Sequence, residues 1–166
     1  MRTKNSNVAR LKDSNIYSKV KSILTKYKKN KSFVVGVSGG PDSLALTALA
    51  NAVAKEKKYK FFFAIVDHGI RKNSGKEALQ VKRLLYRHGI NLEILRNRKK
   101  ITNNIQRKAR DVRYQLLEGF CKKKKTKSLL VGHHQDDQIE TFLIRLSRGS
   151  GVEGLASMQE TTTLKN

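Results

Sequence analysis

The sequence has no tryptophan, one proline and one cysteine among its 166 residues, and only 13 acidic side chains. A lone Cys121 excludes an intrachain disulfide framework and a cysteine-built zinc site, and it fits a reducing compartment. No apolar run approaches the ~18 residues that a membrane-spanning helix needs. The first ten residues carry basic side chains but no apolar signal core, so the sequence gives no sign of secretion. The shortage of acids leaves 36 lysines and arginines largely unbalanced, with a formal net charge of +23. Such an excess points to a polyanionic partner, nucleic acid before an anionic membrane surface. A merely solvated basic surface, arising from a Lys- and Asn-rich coding bias, is the plainer alternative.

What is present has the rhythm of an α/β protein. Ile16, Val20, Ile23, Leu24 and Tyr27 recur at helical spacing behind a polar tail spanning residues 1–14. Phe33 to Val37 and Phe61 to Val66 are continuous apolar runs, as expected for strands buried on both faces of a parallel sheet. Between them, Leu46, Leu49, Ala50 and Val53 mark a helix. Ser74 and Glu77 make a capping-box pattern before Ala78, Val81, Leu84 and Leu85. Leu92 to Leu95 is a shorter strand, and Ile105, Ala109, Val112, Leu116 and Phe120 trace the next helix. Ser128 to Gly132 forms a fourth strand, and Ile139, Phe142, Leu143 and Leu146 a last helix. This alternation predicts an open parallel sheet with helices on both faces, in one domain over residues 15–158 with a tail at 159–166.

In such folds ligands bind outside the carboxyl ends of the strands. Ser38-Gly39-Gly40-Pro41-Asp42-Ser43 follows the first strand, Asp67-His68-Gly69 the second, and His133-His134-Gln135-Asp136-Asp137 the fourth. Paired glycines and two hydroxyls before a helix suit an oxyanion, because backbone N–H groups and the helix's positive end can both face it. The spacing matches neither the G-x-x-x-x-G-K-[ST] loop nor G-x-G-x-x-G. Asp42 would repel a phosphate there unless a divalent ion, naturally Mg2+, lay between them. Asp136 and Glu140, at i and i+4, share a helical face, although first-turn acids are also ordinary dipole partners. His133 and His134 with Asp136 and Asp137 admit a metallophosphohydrolase reading, but adjacent strand residues point to opposite faces, so one histidine at most would join the carboxylates. Arg110 and Arg113 share a helix face suited to phosphate, beside Tyr114, or simply face water.

Taken together these motifs resemble a known family. The Ser38–Ser43 stretch is similar to the S-G-G-x-D-S signature of the PP-loop ATP pyrophosphatases. Asp67-His68-Gly69-Ile70-Arg71 with Ser74 and Glu77, Asn104-Ile105 with Ala109-Arg110 and Arg113-Tyr114, Gly132 to Thr141, and Arg145 to Gly151 resemble, in order from Phe33 to Met158, the tRNA(Ile)-lysidine synthetases. The resemblance implies an adenine nucleotide alpha hydrolase-like fold and a two-step ligation. ATP would adenylate C2 of the wobble cytidine of a tRNA(Ile) with a CAU anticodon, and free lysine would then displace AMP. The product pairs as AUA rather than AUG, since an acceptor on the base's pairing edge is replaced.

By the same resemblance Ser38, Gly39, Gly40, Pro41, Asp42 and Ser43 would hold ATP, and Asp42 with Asp137 would hold magnesium. His133 and Arg110 would neutralise the leaving pyrophosphate, and Asp136 or Glu140 would take the amine's proton. Asp67, His68, Arg71, Arg113 and Asp136 would meet the substrates. Family members continue further, with C-terminal regions that grip tRNA, so this sequence reads either as a fragment or decayed copy, or as a minimal form whose positive surface compensates for the missing contacts; a homodimer would enlarge that surface. Its composition suits an A+T-rich organellar genome, plastid before mitochondrion. A tRNA-thiolating relative would usually show paired cysteines, and a basic RNA-binding module without catalysis is the rival from another class.

Overall fold

The computed structural model describes residues 12–26, 31–98 and 101–132. Its elements run α1 (Asn15–Lys26), β1 (Ser32–Val37), α2 (Pro41–Lys57), β2 (Lys60–Asp67), α3 (Ser74–Arg87), β3 (Leu92–Arg96), α4 (Ile105–Lys123) and β4 (Leu129–Val131). The expected last helix, with His133, His134, Asp136, Asp137 and Glu140, lies outside the described residues, as do the two tails apart from residues 12–14.

The strands form one parallel sheet in the order β3-β2-β1-β4. β1 pairs with β2 from Ser32↔Lys60 to Val37↔Ile65, and with β4 from Val34↔Leu129 to Gly36↔Val131. The apolar runs become strands buried on both faces because alternate side chains enter two different cores. On one face Val35, Val37, Phe63 and Ile65 pack with Ala50 of α2 and Ala78 and Leu85 of α3, while Phe33 joins Tyr17, Leu24, Leu49 and Val53. On the other, Val34 and Ala64 meet Leu117, Phe120 and Cys121 of α4. Helices thus cover both faces, as the alternation predicted. Phe33 and Phe61, directly opposite across the strands, stack with ring centroids 5.1 Å apart, an aromatic pair that helps fix the register.

Two helices bury a face rotated by one residue from the expected stripe. Ile16 is 62% exposed and Tyr17 is buried instead, its ring in the α1–α2 core and its hydroxyl donating to Glu56 Oε2 at 2.6 Å. In α4, Leu117 is buried while Ile105 is exposed and Leu116 only half-buried. Leu117 reaches the sheet over Gly36, where a Cβ would lie 3.1 Å from its Cδ1, so the absent side chain makes the seat. The capping box does not form either. Asn73 precedes α3 with no side-chain cap, and the Ser74 hydroxyl donates to Asp67 Oδ1 at 2.7 Å. The run Lys122 to Lys125, which closes α4 and follows it, is not wholly solvated. Lys124 Nζ lies over the rings of Phe62 and Phe120, 5.1 and 5.2 Å from their centroids, and 3.8 Å from Glu93 Oε2.

Candidate functional site

The strand order places a switch point at β1: the chain moves from β1 through β2 to β3 on one side, then returns to β4 on the other. Open α/β sheets present their binding crevice at such a point, outside the carboxyl ends of the strands. Ser38 to Ser43 occupies that position, running from the end of β1 into the first turn of α2. Gly39 adopts φ +89°, a conformation open to glycine, and a Cβ there would also lie 3.1 Å from Val81 Cγ2 of α3. Gly40 is extended and Pro41 opens α2, where the missing proline N–H costs nothing because first-turn amides have no carbonyl to meet.

Ser43, only 2% exposed, is the centre of the loop. Its Oγ accepts from the amides of Ser38 at 3.1 Å and Gly39 at 3.2 Å, receives the Ser38 hydroxyl at 3.0 Å, and donates to the Gly40 carbonyl at 2.9 Å. The Ser38 and Gly39 amides therefore converge on a single oxygen, while the Gly40 amide donates to Ser38 Oγ at 3.4 Å. Asp42 is exposed in the first turn of α2, where the helix dipole favours a carboxylate. Gly132, just beyond β4, presses on this loop from the other side of the switch point. A Cβ at Gly132 would stand 3.2 Å from the carbonyl carbon and oxygen of Asp42 and from Ser43 Cα. Nothing in the spacing of the sequence joins residue 132 to residue 42. The available signal is the glycine itself, which ends an apolar strand run and marks close backbone approach.

Asp67 and His68 lie at the end of β2, beside the loop on β1. Asp67 Oδ1 accepts from the Gly69 amide at 3.1 Å as well as from Ser74, so this carboxylate ties the turn to the start of α3. His68 Nδ1 is buried with no hydrogen-bond partner among the described residues. Burial first, and the nearby Arg113 guanidinium second, hold the His68 imidazole below its ordinary pKa of 6.5, against the opposing pull of Asp67. This favours the neutral ring, which donates at one nitrogen and accepts at the other.

Arg113 of α4 is thereby brought to the β2 end. Arg110, one turn earlier and exposed, lies 5.7 Å over the Tyr114 ring. Arg71 is exposed on the turn before α3, 4.0 Å from Glu77. The structure thus gathers Ser38 to Ser43, Asp67 and His68 at the carboxyl ends of the two central strands, with Arg113 near enough to His68 to act on its charge. His133, Asp136, Asp137 and Glu140 lie outside the described residues. No group of three or more potential metal ligands occurs among the described residues, where Asp42 is the acid nearest the cradle.

The comparisons with known proteins agree with this geometry. A family model described as the PP-loop domain matches residues 12–166. A tRNA(Ile)-lysidine synthase of Wolbachia pipientis wMel is 47% identical over 132 residues, covering 78% of this chain and 31% of the relative. One from Rhodopseudomonas palustris is 40% identical over 144 residues, covering 85% of this chain and 42% of the relative. The chain therefore spans between about a third and two fifths of the length of these relatives. Among solved structures, the U34-tRNA thiolase NcsA from Methanococcus maripaludis with its 4Fe–4S cluster superposes with a TM-score of 0.64 at 22% identity, over 76% of this chain and 46% of that one, a likeness of fold. By the match of the PP-loop model to nearly its whole length, and by the glycine-paired loop at the switch point of its sheet, the chain belongs to the PP-loop domain family.

Proposed function

We propose that this chain carries the ATP-cleaving centre of a tRNA(Ile)-lysidine synthase, acting on the wobble cytidine of a tRNA with a CAU anticodon. The observation that carries this reading is the Ser38–Ser43 cradle at the β1 switch point with Gly132 pressed against Asp42 and Ser43. It stands beside relatives of that name at 40–47% identity. In the first step the cytosine O2 attacks the α-phosphorus of ATP, the bond to the β-phosphate oxygen breaks, and pyrophosphate leaves. In the second, the ε-amine of lysine attacks C2, the C2–O bond breaks, AMP leaves with that oxygen, and the amine gives up a proton.

Ser38, Gly39, Gly40, Pro41 and Ser43 hold the phosphates in this reading, a phosphate oxygen competing with Ser43 Oγ for the Ser38 and Gly39 amides. In this reading the exposed carboxylate of Asp42, with that of Asp137, would hold a divalent ion. Magnesium would lower the repulsion between carboxylate and phosphate and ease departure of pyrophosphate. Arg110 and His133 neutralise charge on the leaving group, Asp136 or Glu140 receives the amine proton, and Asp67, His68, Arg71 and Arg113 line the substrate side. An organellar, and first a plastid, setting rests on the Lys- and Asn-rich composition alone.

Thiolation is disfavoured by Cys121. Buried in the α4 core with its thiol pushed up to about 11, by burial first and Glu118 second, it is neither a ready cluster ligand nor a sulfur carrier. The test is release of AMP and pyrophosphate with CAU-anticodon tRNA and lysine. Wild-type protein forms AMP in proportion to lysidine, and Asp42→Asn reduces both by at least tenfold. AMP at background level, with tRNA still bound, would instead leave a basic RNA-binding module.

A further inference from the structure

The outward face of α3 is not used by the chemistry above. Ala78, Val81 and Leu85 turn this helix's apolar side to the sheet. At 3.6 residues per turn, Lys76, Arg83 and Arg87 fall within about 40° of one another on the opposite side, along about 17 Å of axis. All three are exposed. Beside them, on an adjoining strip, Leu79 is 40% and Tyr86 71% exposed. The one acid of the helix, Glu77, lies off this face and pairs with Arg71. The helix that carries the row starts at the candidate site: Ser74 is bonded to Asp67, and Val81, on the sheet-facing side, lies against the Gly39 position of the cradle.

A line of cations flanked by an exposed aromatic is the pattern that tracks a nucleic-acid backbone while stacking a base. An acid-free face on a chain of net charge +23 favours RNA over a protein partner. Building on the function proposed above, we propose that RNA leaves the site along α3, with Lys76, Arg83 and Arg87 meeting phosphates and Tyr86 stacking on an unpaired base.

The experiment measures affinity for a CAU-anticodon tRNA by fluorescence anisotropy at several salt concentrations. Because any charge removed from so basic a chain weakens RNA binding, Arg83→Glu/Arg87→Glu is compared with Lys19→Glu/Lys55→Glu, the same charge change at exposed sites on α1 and α2. The α3 pair is expected to lose at least tenfold more affinity than its control, and the slope of log K against log salt should shrink by about 0.7–0.9 per lost phosphate contact. A single Lys76→Glu change, read the same way, gives about half the slope change and stands in if the double variant fails to fold. Tyr86→Ala should weaken binding about fivefold or more, and Tyr86→Phe should restore it, as stacking requires.

Equal losses in the two charge-reversal pairs would overturn the proposal. So would tRNA affinity unchanged while light scattering shows a lost self-association, which would make α3 a protein contact. Failure of the catalytic reading is separate: AMP formation would be absent in the wild type while the α3 variants still lost RNA.

Discussion

At Ser43 a hydroxyl replaces what a loop would otherwise need from water: acceptors for two amides and a donor for the Gly40 carbonyl. Ser43→Ala removes the acceptor of the part-buried Ser38 and Gly39 amides, while the Gly40 carbonyl keeps the Leu44 amide, and it is expected to cost about 1 kcal/mol. Urea denaturation should show it as a lowered midpoint with an unchanged m-value, together with weaker ATP binding. His68 offers a second test at this scale. Its imidazole lies below 6.5 through burial and Arg113, so Arg113→Gln should raise the titration midpoint followed by NMR, and Asp67→Asn should lower it further. Since the folded form resists protonation, His68 contributes stability above its unfolded pKa that is lost as pH falls below about 6.5.

The loop was legible because its chemistry is local: two glycines, two serines, a proline and an aspartate in six positions. The Ser74–Asp67 bond was not, because a serine three residues before a glutamate reads as a capping box until a partner outside the helix claims its hydroxyl.

Between elements, α1 is fastened to α2 by Glu56, which accepts from Tyr17 and pairs with Lys21. Lys21 first and Tyr17 second hold the Glu56 carboxyl down at about 2, from an ordinary 4.5, while burial first and Glu56 second push the Tyr17 phenol up to about 12. With the folded value depressed, the Glu56 contribution is complete above the unfolded pKa and is lost as pH falls from about 4.5 toward 2. Thermal melts of wild type and Glu56→Gln should therefore differ most near pH 5–7 and converge toward pH 2. Toward high pH, the Tyr17 contribution holds below its unfolded pKa of 10 and fades through about 12.

Strands were the elements read best, because continuous apolar runs have no face to choose. Helices were read one residue off where two apolar side chains are adjacent, as at Ile16-Tyr17 and Leu116-Leu117. Either member of such a pair satisfies the periodicity, and only the glycine seat at Gly36, or the carboxylate at Glu56, decides between them.

Across the whole molecule, α4 covers its face of the sheet through a core that includes Cys121. A thiol held near 11 and shielded there is reached when the core opens. Labelling by an aromatic disulfide reagent should be negligible in native buffer and should rise with denaturant in step with loss of circular dichroism; early labelling would mean that α4 opens on its own. The parallel architecture and its two covered faces were visible in the alternation of elements. The strand order was not, since placing β4 beside β1 depends on pairing between residues almost a hundred positions apart.

That adjacency gives position 132 an unusual leverage. Main chain meets main chain at the seam between β4 and the start of α2, so no flexible side chain is available to absorb a mismatch. The width of the Ser38–Ser43 cradle is accordingly gauged by one missing methyl group. Under the proposed function, an engineer wishing to tighten or loosen the grip on a triphosphate has a tuning point there, outside the signature itself.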